Sequence, residues 1–400
     1  MHVCMLAYTF YESDNRVRRY AETLARRGDK VDVIALRGNS SPRVEILSNV
    51  RLYKIQASAR NETGRFSYLF RHLLFFWRSM FFLAIKDMKD HYDLVHVHSV
   101  PDFEVFAAWF PKARGAKLIL DIHDLVPEFY ASKFRARPDS LAMRLLLFIE
   151  RISAQFADHV IAANHIWRDR LVARSVKDAK CTAILNYPDG AIFFRRGRTR
   201  TDGKFIIVYP GTLNYHQGVD LAVRALARIK DQVPQAELHI YGRGNEAGNL
   251  RKLAGELGLA GRVIFNDTVR LTDVAPIIEN ADLGIVPKRT DGFGNEAFST
   301  KVLEFMTLGV PVVVCDSAVD RYYFTDRVVT FFKGNDEAHL AECMLEMIRD
   351  TAKREAQVKR ADDFVKSFDW DLRKSEYLRL VDNLIQPAKA GANPAGDLSI

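Results

Sequence analysis

Glu296 and Glu304 stand eight residues apart in the run FGNEAFSTKVLEFMTLGVPVVV. The first lies in a polar, glycine-containing loop. The second falls a turn inside a short helix that stops at Gly309-Val310-Pro311, just ahead of an apolar strand at 312–315. The start of a helix offers unpaired backbone N–H groups and the positive end of its dipole, a seat for phosphate oxygens. Carboxylates flanking such a seat accept hydrogen bonds from sugar hydroxyls. The chemistry that fits this spacing is recognition of a phosphate-bearing sugar ligand.

Other polar groups sit at the ends of apolar runs. The loop after 205–209 reads Pro210-Gly211-Thr212-Leu213-Asn214-Tyr215-His216-Gln217-Gly218. Its glycines let backbone approach a ligand closely, and the same pattern equally describes an ordinary strand-to-helix turn. Gly242, Gly244 and Gly248 follow the run 238–241 with a spacing one residue off the dinucleotide fingerprint. That pattern lies in the second half of the chain, and the loop behind the first strand, 9–15, has no glycine. Both facts argue against a nicotinamide enzyme. His123 ends the run 118–122, where a side chain would point into a cleft; Asp121 or Asp124 is placed to orient its ring, and the competing role is a cap on loop backbone. His96 and His98 share one face of the preceding strand. His96 reads as structural; His98, at the strand's end, stays open between a structural place and the acceptor side of a site.

The elements that must position these residues alternate. Apolar, β-branched runs recur at 3–8, 31–36, 94–98, 118–122, 160–163 and 182–185, mostly separated by helix-period segments such as 16–27. An extra run at 50–55 reads as an edge strand. A second series follows at 205–209, 238–241, 263–265, 283–286, 312–315 and 328–332. Short buried strands with helices between them form parallel sheets, and two series predict two facing doubly wound (Rossmann-like) α/β domains. The basic stretch 194–204 is unsuited to a core and marks the boundary. The expected division is 1–196, 203–369, a helix over 370–386, and a disordered Ala-, Gly- and Pro-rich tail over 387–400. Ligands bind beyond the carboxyl ends of parallel strands, so the two domains would share one cleft.

Four hundred residues exceed what one core usually organises. Lys+Arg number 58 against 50 Asp+Glu, a formal net charge of +8. That excess favours an anionic partner without choosing between nucleotide, nucleic acid and membrane. Cys4, Cys181, Cys315 and Cys343 form no close pair, so neither a zinc site nor a disulfide framework is expected, and a reducing cytoplasm fits. Residues 1–7 read as a strand rather than a signal peptide.

Residues 66–85 hold eight aromatics in twenty residues, with Arg71, His72 and Arg78 among them. Two central arginines would cost a membrane span about 2.5–3.5 kcal/mol each. Two readings avoid that cost: an amphipathic helix that packs on the sheet and touches a membrane surface, or a buried core helix whose arginines snorkel.

Together these motifs resemble a family 4 glycosyltransferase of the two-domain GT-B fold, over about residues 1–385. Glu296 and Glu304 match the family's E-x7-E signature, and AFSTKVLEFMTLGVPVV follows its extended pattern. Asn186-Tyr187-Pro188-Asp189 resembles its N-x-x-D turn, Tyr241-Gly242-Arg243-Gly244 its third-loop glycine motif, and Asp121-Ile122-His123-Asp124 its histidine motif. The resemblance implies a hexosyl-type transfer from a nucleotide diphosphate sugar with retention of configuration, no cofactor and no metal; no D-x-D stands in the expected place. It implies an acceptor-binding first domain, a nucleotide-sugar-binding second domain, and a last helix that returns to the first. Glu304 would hold ribose hydroxyls, and Glu296 donor-sugar hydroxyls near the reacting carbon. Backbone N–H groups of Ser299 and Thr300 would meet the diphosphate, with Ala297, Phe298, Gly211, Thr212 and Gln217 lining the donor site. His123 would touch donor sugar or acceptor.

The chain departs from the family where Thr212 and Gln217 replace an arginine and a lysine that grip the diphosphate. Each charge-assisted hydrogen bond lost is worth roughly 1.5–3 kcal/mol. Lys288 and Arg243 are the expected replacements, and Lys301 lies in the first helical turn. The implied partners are a nucleotide sugar and a glycan or polyprenyl-linked acceptor in bacterial surface-polysaccharide assembly. Peripheral contact at the cytoplasmic membrane face through Arg71 and Arg78 is expected, and no nucleic acid. A nucleotide-sugar-binding subunit without transfer activity and a nucleotide-sugar epimerase are the alternatives.

Overall fold

The computed structural model describes residues 1–38, 41–57, 65–134, 136–137 and 139–386. The expected disordered tail, 387–400, lies outside the described residues. Eight strands form the first sheet: β1 (His2–Ala7), β2 (Lys30–Arg37), β3 (Val44–Leu47), β4 (Val50–Ala57), β5 (Leu94–Ser99), β6 (Lys117–Ile122), β7 (His159–Ala162) and β8 (Cys181–Ala183). Their order is β3-β4-β2-β1-β5-β6-β7-β8. Six more, β9 (Phe205–Pro210), β10 (Ala236–Tyr241), β11 (Val263–Asn266), β12 (Leu283–Val286), β13 (Val312–Cys315) and β14 (Thr330–Phe332), form the second in the order β11-β10-β9-β12-β13-β14.

Pairing is parallel throughout except between β3 and β4. β1, β5 and β9 are buried at every position, as strands covered by helices on both faces must be. In each sheet the order reverses beside the first strand, between β1 and β5 and between β9 and β12. Crevices for ligands open at such switch points, at the carboxyl ends of the strands.

The run at 50–55 is not the edge strand. β4 lies between β2 and the antiparallel β3, which forms the edge. Ser48 and Asn49 both have positive φ, 51° and 63°, and close a two-residue hairpin. β3 is short, and its side chains alternate between exposed and half-buried. It therefore lacks the continuous apolar signal of its neighbours.

Apolar packing runs unbroken from one domain to the other. Val3 and Ile119 of the first sheet share one apolar cluster with Val302 of the helix Thr300–Thr307 and Val314 of the second sheet, together with Tyr187, Phe193 and Trp370. The helix Trp370–Ile385 packs on the first domain. Trp370 Nε1 donates to Thr23 Oγ1 (3.0 Å), the Tyr377 hydroxyl meets His96 Nδ1 (3.0 Å), and Arg27 reaches Asp382 (2.8 Å). His96, fully buried, is thus a packing and anchoring residue.

The helix Arg65–Lys89 is two-faced. Phe75, Ser79, Leu83 and Asp87, four residues apart, are fully buried, while Leu73, Trp77, Phe81 and Ile85 on the other side are exposed. The fully buried alternative therefore does not hold. No helix among the described residues is long and apolar enough to cross a membrane.

Candidate functional site

The helix Thr300–Thr307 begins where a ligand could meet it. Ser299 occupies its N-cap, yet no side chain caps the first turn, and Ser299 Oγ is buried with no hydrogen-bond partner. The tip faces a cleft of about 390 Å³ between the domains. Ala297, Phe298 and Thr300 line it from the second domain, and Asp14, Arg16 and His123 from the first. Two elements far apart in sequence, the 297–300 segment and the carboxyl end of β6, thus border one space.

Glu304 is partly buried one turn inside the helix. Burial, opposed by nearby Lys301, pushes its carboxyl group up to about 7. Glu296 turns the other way, toward the first domain: its carboxylate accepts from Arg170, and its carbonyl from Asn164 Nδ2 (3.0 Å). Burial raises its pKa, Arg170 opposes that rise, and Glu128 adds to it. Around this ion pair Phe293 meets Phe129 edge-on and Trp167 at a tilt, with ring centroids 5.4 and 5.5 Å apart, so the domains meet through apolar and charged contacts alike.

On the first domain His123 sits in a buried polar network. Its Nε2 lies 3.1 Å from Asp121 Oδ2 and 3.2 Å from His98 Nδ1. Asp121 therefore orients the ring, and Asp124 does not join in. Arg16 clasps Asp121 with two hydrogen bonds (2.8 and 2.6 Å). Burial alone would raise the Asp121 pKa, but Arg16, His123 and His98 together hold it well below the usual carboxylate range. His98 is buried behind His123. His96, His98 and Asp121 bring three possible metal-ligand atoms within 4.8 Å. Arg16 takes both oxygens of Asp121, which places a fixed positive charge where a metal ion would need to bind.

The loop after β9 is tightly packed. The Tyr209 hydroxyl lies 2.9 Å from the Thr212 carbonyl and 3.1 Å from Gln217 Oε1, so Gln217 faces inward while Thr212 is exposed. Gly211 lies against Lys301: a Cβ there would stand 2.4 Å from Lys301 Cε. Gly242 approaches the same backbone, where a Cβ would fall 1.8 Å from the Gly211 carbonyl oxygen. These two glycines let the loops after β9 and β10 touch.

The two expected replacement cations are otherwise engaged. Lys288 is buried, and its ammonium donates to Asp320 and to the Ala297 carbonyl, both at 2.7 Å. It thereby braces the loop that carries Glu296. Arg243 is exposed and paired with Asp267 (3.2 Å). Phe298 packs on Tyr323 with ring centroids 4.9 Å apart. Arg71 and Arg78 lie elsewhere, along a groove of about 900 Å³ between the β3–β4 edge and the helix Arg65–Lys89, with Arg37 and Arg43 on its far wall.

Arg16 and Arg170 were not singled out from sequence. Arg16 carries a faint signal, an arginine on the buried stripe of its helix; Arg170, on a half-exposed helix face, carries none.

Residues 192–364 match the family model described as Glycosyl transferases group 1, and residues 13–186 match the Glycosyl transferase 4-like domain. An uncharacterised glycosyltransferase of Methanocaldococcus jannaschii is 26% identical over 330 residues, 74% of either chain. A phosphatidyl-myo-inositol mannosyltransferase of Mycolicibacterium smegmatis is 27% identical over 302 residues, covering 73% of this chain and 72% of its own. The Anabaena protein HepE, crystallised with UDP-glucose, aligns at TM-score 0.73 and 15% identity over 96% of this chain and 100% of that one. The architecture of two facing α/β domains is the GT-B fold.

Proposed function

Because this chain belongs to the group 1 glycosyl transferases, we propose that it moves a hexosyl group from a nucleoside diphosphate sugar to a glycan or lipid-linked acceptor, with retention of configuration and without a metal. The observation that carries the reading is the uncapped tip at Ser299-Thr300, with Glu296 and Glu304 on either side of it and His123 across the same cleft. Tip N–H groups take the diphosphate. Glu304 accepts from ribose hydroxyls and Glu296 from sugar hydroxyls. HepE, of the same fold, was crystallised with a nucleotide sugar.

In the proposed step, the acceptor oxygen bonds to the anomeric carbon on the face the leaving group departs. The bond from that carbon to the diphosphate oxygen breaks, and its electron pair leaves with the diphosphate. The acceptor's proton passes to a departing phosphate oxygen, so the protein supplies no nucleophile. Its contribution is positioning and stabilisation of the leaving charge. Asp121 holds the His123 ring in place at the reacting end of the cleft.

An acceptor at a membrane surface fits the first domain. Leu73, Trp77, Phe81 and Ile85 make an exposed stripe on the helix Arg65–Lys89, and Leu141, Leu145 and Phe148 make another on Leu141–Phe156. Both helices pack against the turn Asp102–Ala108. Apolar stripes flanked by arginines are the pattern of a surface that rests on anionic lipid. The M. smegmatis relative is named for a lipid acceptor, phosphatidyl-myo-inositol.

The test is a panel of nucleotide sugars read by thermal shift and by donor hydrolysis, with the anomeric configuration of product followed by NMR. Inverted product would overturn retention. Binding with neither hydrolysis nor transfer would favour a silent nucleotide-sugar-binding subunit, the reading that uncharged Thr212 and Gln217 support.

A further inference from the structure

Four cations of the second domain follow the carboxyl ends of β10 and β12 or stand in the first turn of the helix Thr300–Thr307, and three are neutralised by the protein itself. Lys288 pairs with Asp320 (2.7 Å), Arg289 with Asp220 (2.6 Å) and Arg243 with Asp267 (3.2 Å). The fourth, Lys301, has no ion pair among the described residues. Its ammonium lies over the face of Tyr209, with the ring centroid 5.5 Å from Nζ, and the Glu304 carboxyl is near enough to favour its charge without forming an ion pair.

Lys301 is nonetheless partly buried, and burial pulls its ammonium below the usual lysine range. A cation withdrawn from water without a partner is costly unless something else neutralises it. Three neighbours point to what does. Lys301 sits in the first turn of Thr300–Thr307, one residue past the uncapped tip. Ser299 Oγ beside it is buried and unpartnered. The absence of a side chain at Gly211 is what lets the lysine lie across the loop after β9. The helix start thus carries a positive charge, a buried unpartnered hydroxyl and open N–H groups within three residues of one another, and the nearby Glu304 acts on the ammonium only from beyond ion-pair distance.

We propose that Lys301 grips the donor's diphosphate, taking over from the charged side chains that positions 212 and 217 lack. The proposal rests on the donor reading above and goes further in assigning the charge to one residue. It also gives Gly211 a specific duty: keeping the path of the Lys301 side chain clear.

The deciding measurement is calorimetric binding of UDP, GDP, ADP and dTDP, each beside its nucleoside, to the full chain and its variants. For whichever diphosphate the wild type binds, Lys301→Met should weaken affinity about 10- to 100-fold and leave nucleoside affinity unchanged. Lys301→Arg should recover part of the loss. Gly211→Ala, which pushes the lysine aside, should weaken diphosphate binding in the wild type and add little on top of Lys301→Met. If Lys301→Met does not fold, Gly211→Ala decides by the same comparison. Diphosphate affinity within twofold of wild type in these variants would overturn the role of Lys301 and leave the donor reading standing. A wild type that binds no diphosphate would overturn both.

Discussion

Arg170 of the first domain donates to the Glu296 carboxylate of the second, joining residues 126 positions apart across the cleft. Without a donor, the carboxylate proposed to meet the sugar is held by a guanidinium. Sugar binding must therefore share or displace that contact. Both side chains are partly exposed, and such pairs are worth about 0.2–1 kcal/mol. Arg170→Ala should reduce the domain-closed population by no more than about fivefold, measured by small-angle scattering. Glu296→Gln should instead lower kcat/KM by about 10- to 100-fold, because a charged hydrogen bond to substrate is lost. Equal effects of the two substitutions would mean that Glu296 serves closure alone.

Glu304 sets stability against binding. Its folded pKa of about 7 is raised above the unfolded value. The fold therefore favours the neutral acid: its contribution is fully present below the unfolded pKa and lost as pH rises through 7. Glu304→Gln cannot ionise. Its Tm should match wild type near pH 4, exceed it increasingly up to pH 7, and hold a constant lead above. Donor affinity should fall by about tenfold or more at the same time. A Tm difference that does not vary with pH would contradict the burial of this carboxylate.

Asp121→Asn should do the opposite to stability. It leaves Arg16 buried and without its countercharge, which costs about 3–5 kcal/mol. The folded pKa of Asp121 is depressed, so its contribution is present above the unfolded pKa and is lost only as pH falls through the depressed value. Urea unfolding should show the full deficit at pH 7 and a shrinking one below about pH 4. His123→Ala should leave stability nearly intact and lower turnover about 100-fold or more.

Arg71→Glu combined with Arg78→Glu replaces two positive charges with two negative ones beside the exposed stripe of Arg65–Lys89. Each basic residue near an anionic bilayer contributes about 1 kcal/mol. Co-sedimentation with vesicles containing phosphatidylglycerol should fall by at least about 30-fold. Binding to neutral phosphatidylcholine vesicles should change little. Trp77→Asp should weaken both. Unchanged partitioning of both variants would remove the membrane from the account.

What the sequence makes legible here is local. Runs such as VCMLA in β1 and VVVC in β13 declare buried parallel strands, and residues at their carboxyl ends inherit a place beside the cleft. This is why His123 could be placed beside the cleft, whereas Ser299, Thr300 and Glu304 are legible from the helix start that follows the loop after β12. Side-chain partners set by tertiary packing are a different matter. Arg16 meets Asp121 across 105 positions, and nothing near either residue announces the other. Lys288 is as plausible a phosphate ligand as Lys301 until Asp320 is seen beside it. β3 went unseen because a short, half-exposed edge strand has no continuous apolar run to give it away.

The chain passes between the domains twice, and the two passages lie side by side. Tyr187 of the outgoing segment stands 6.4 Å from Trp370 of the returning one, and Arg19 bonds the Tyr187 carbonyl (2.9 Å) while lying over the Trp370 ring (4.8 Å). A body fastened to another along a pair of adjacent threads can swing like a door but cannot slide. The paired crossings thus hold His123 of one domain and the Thr300 tip of the other to one alignment across the cleft.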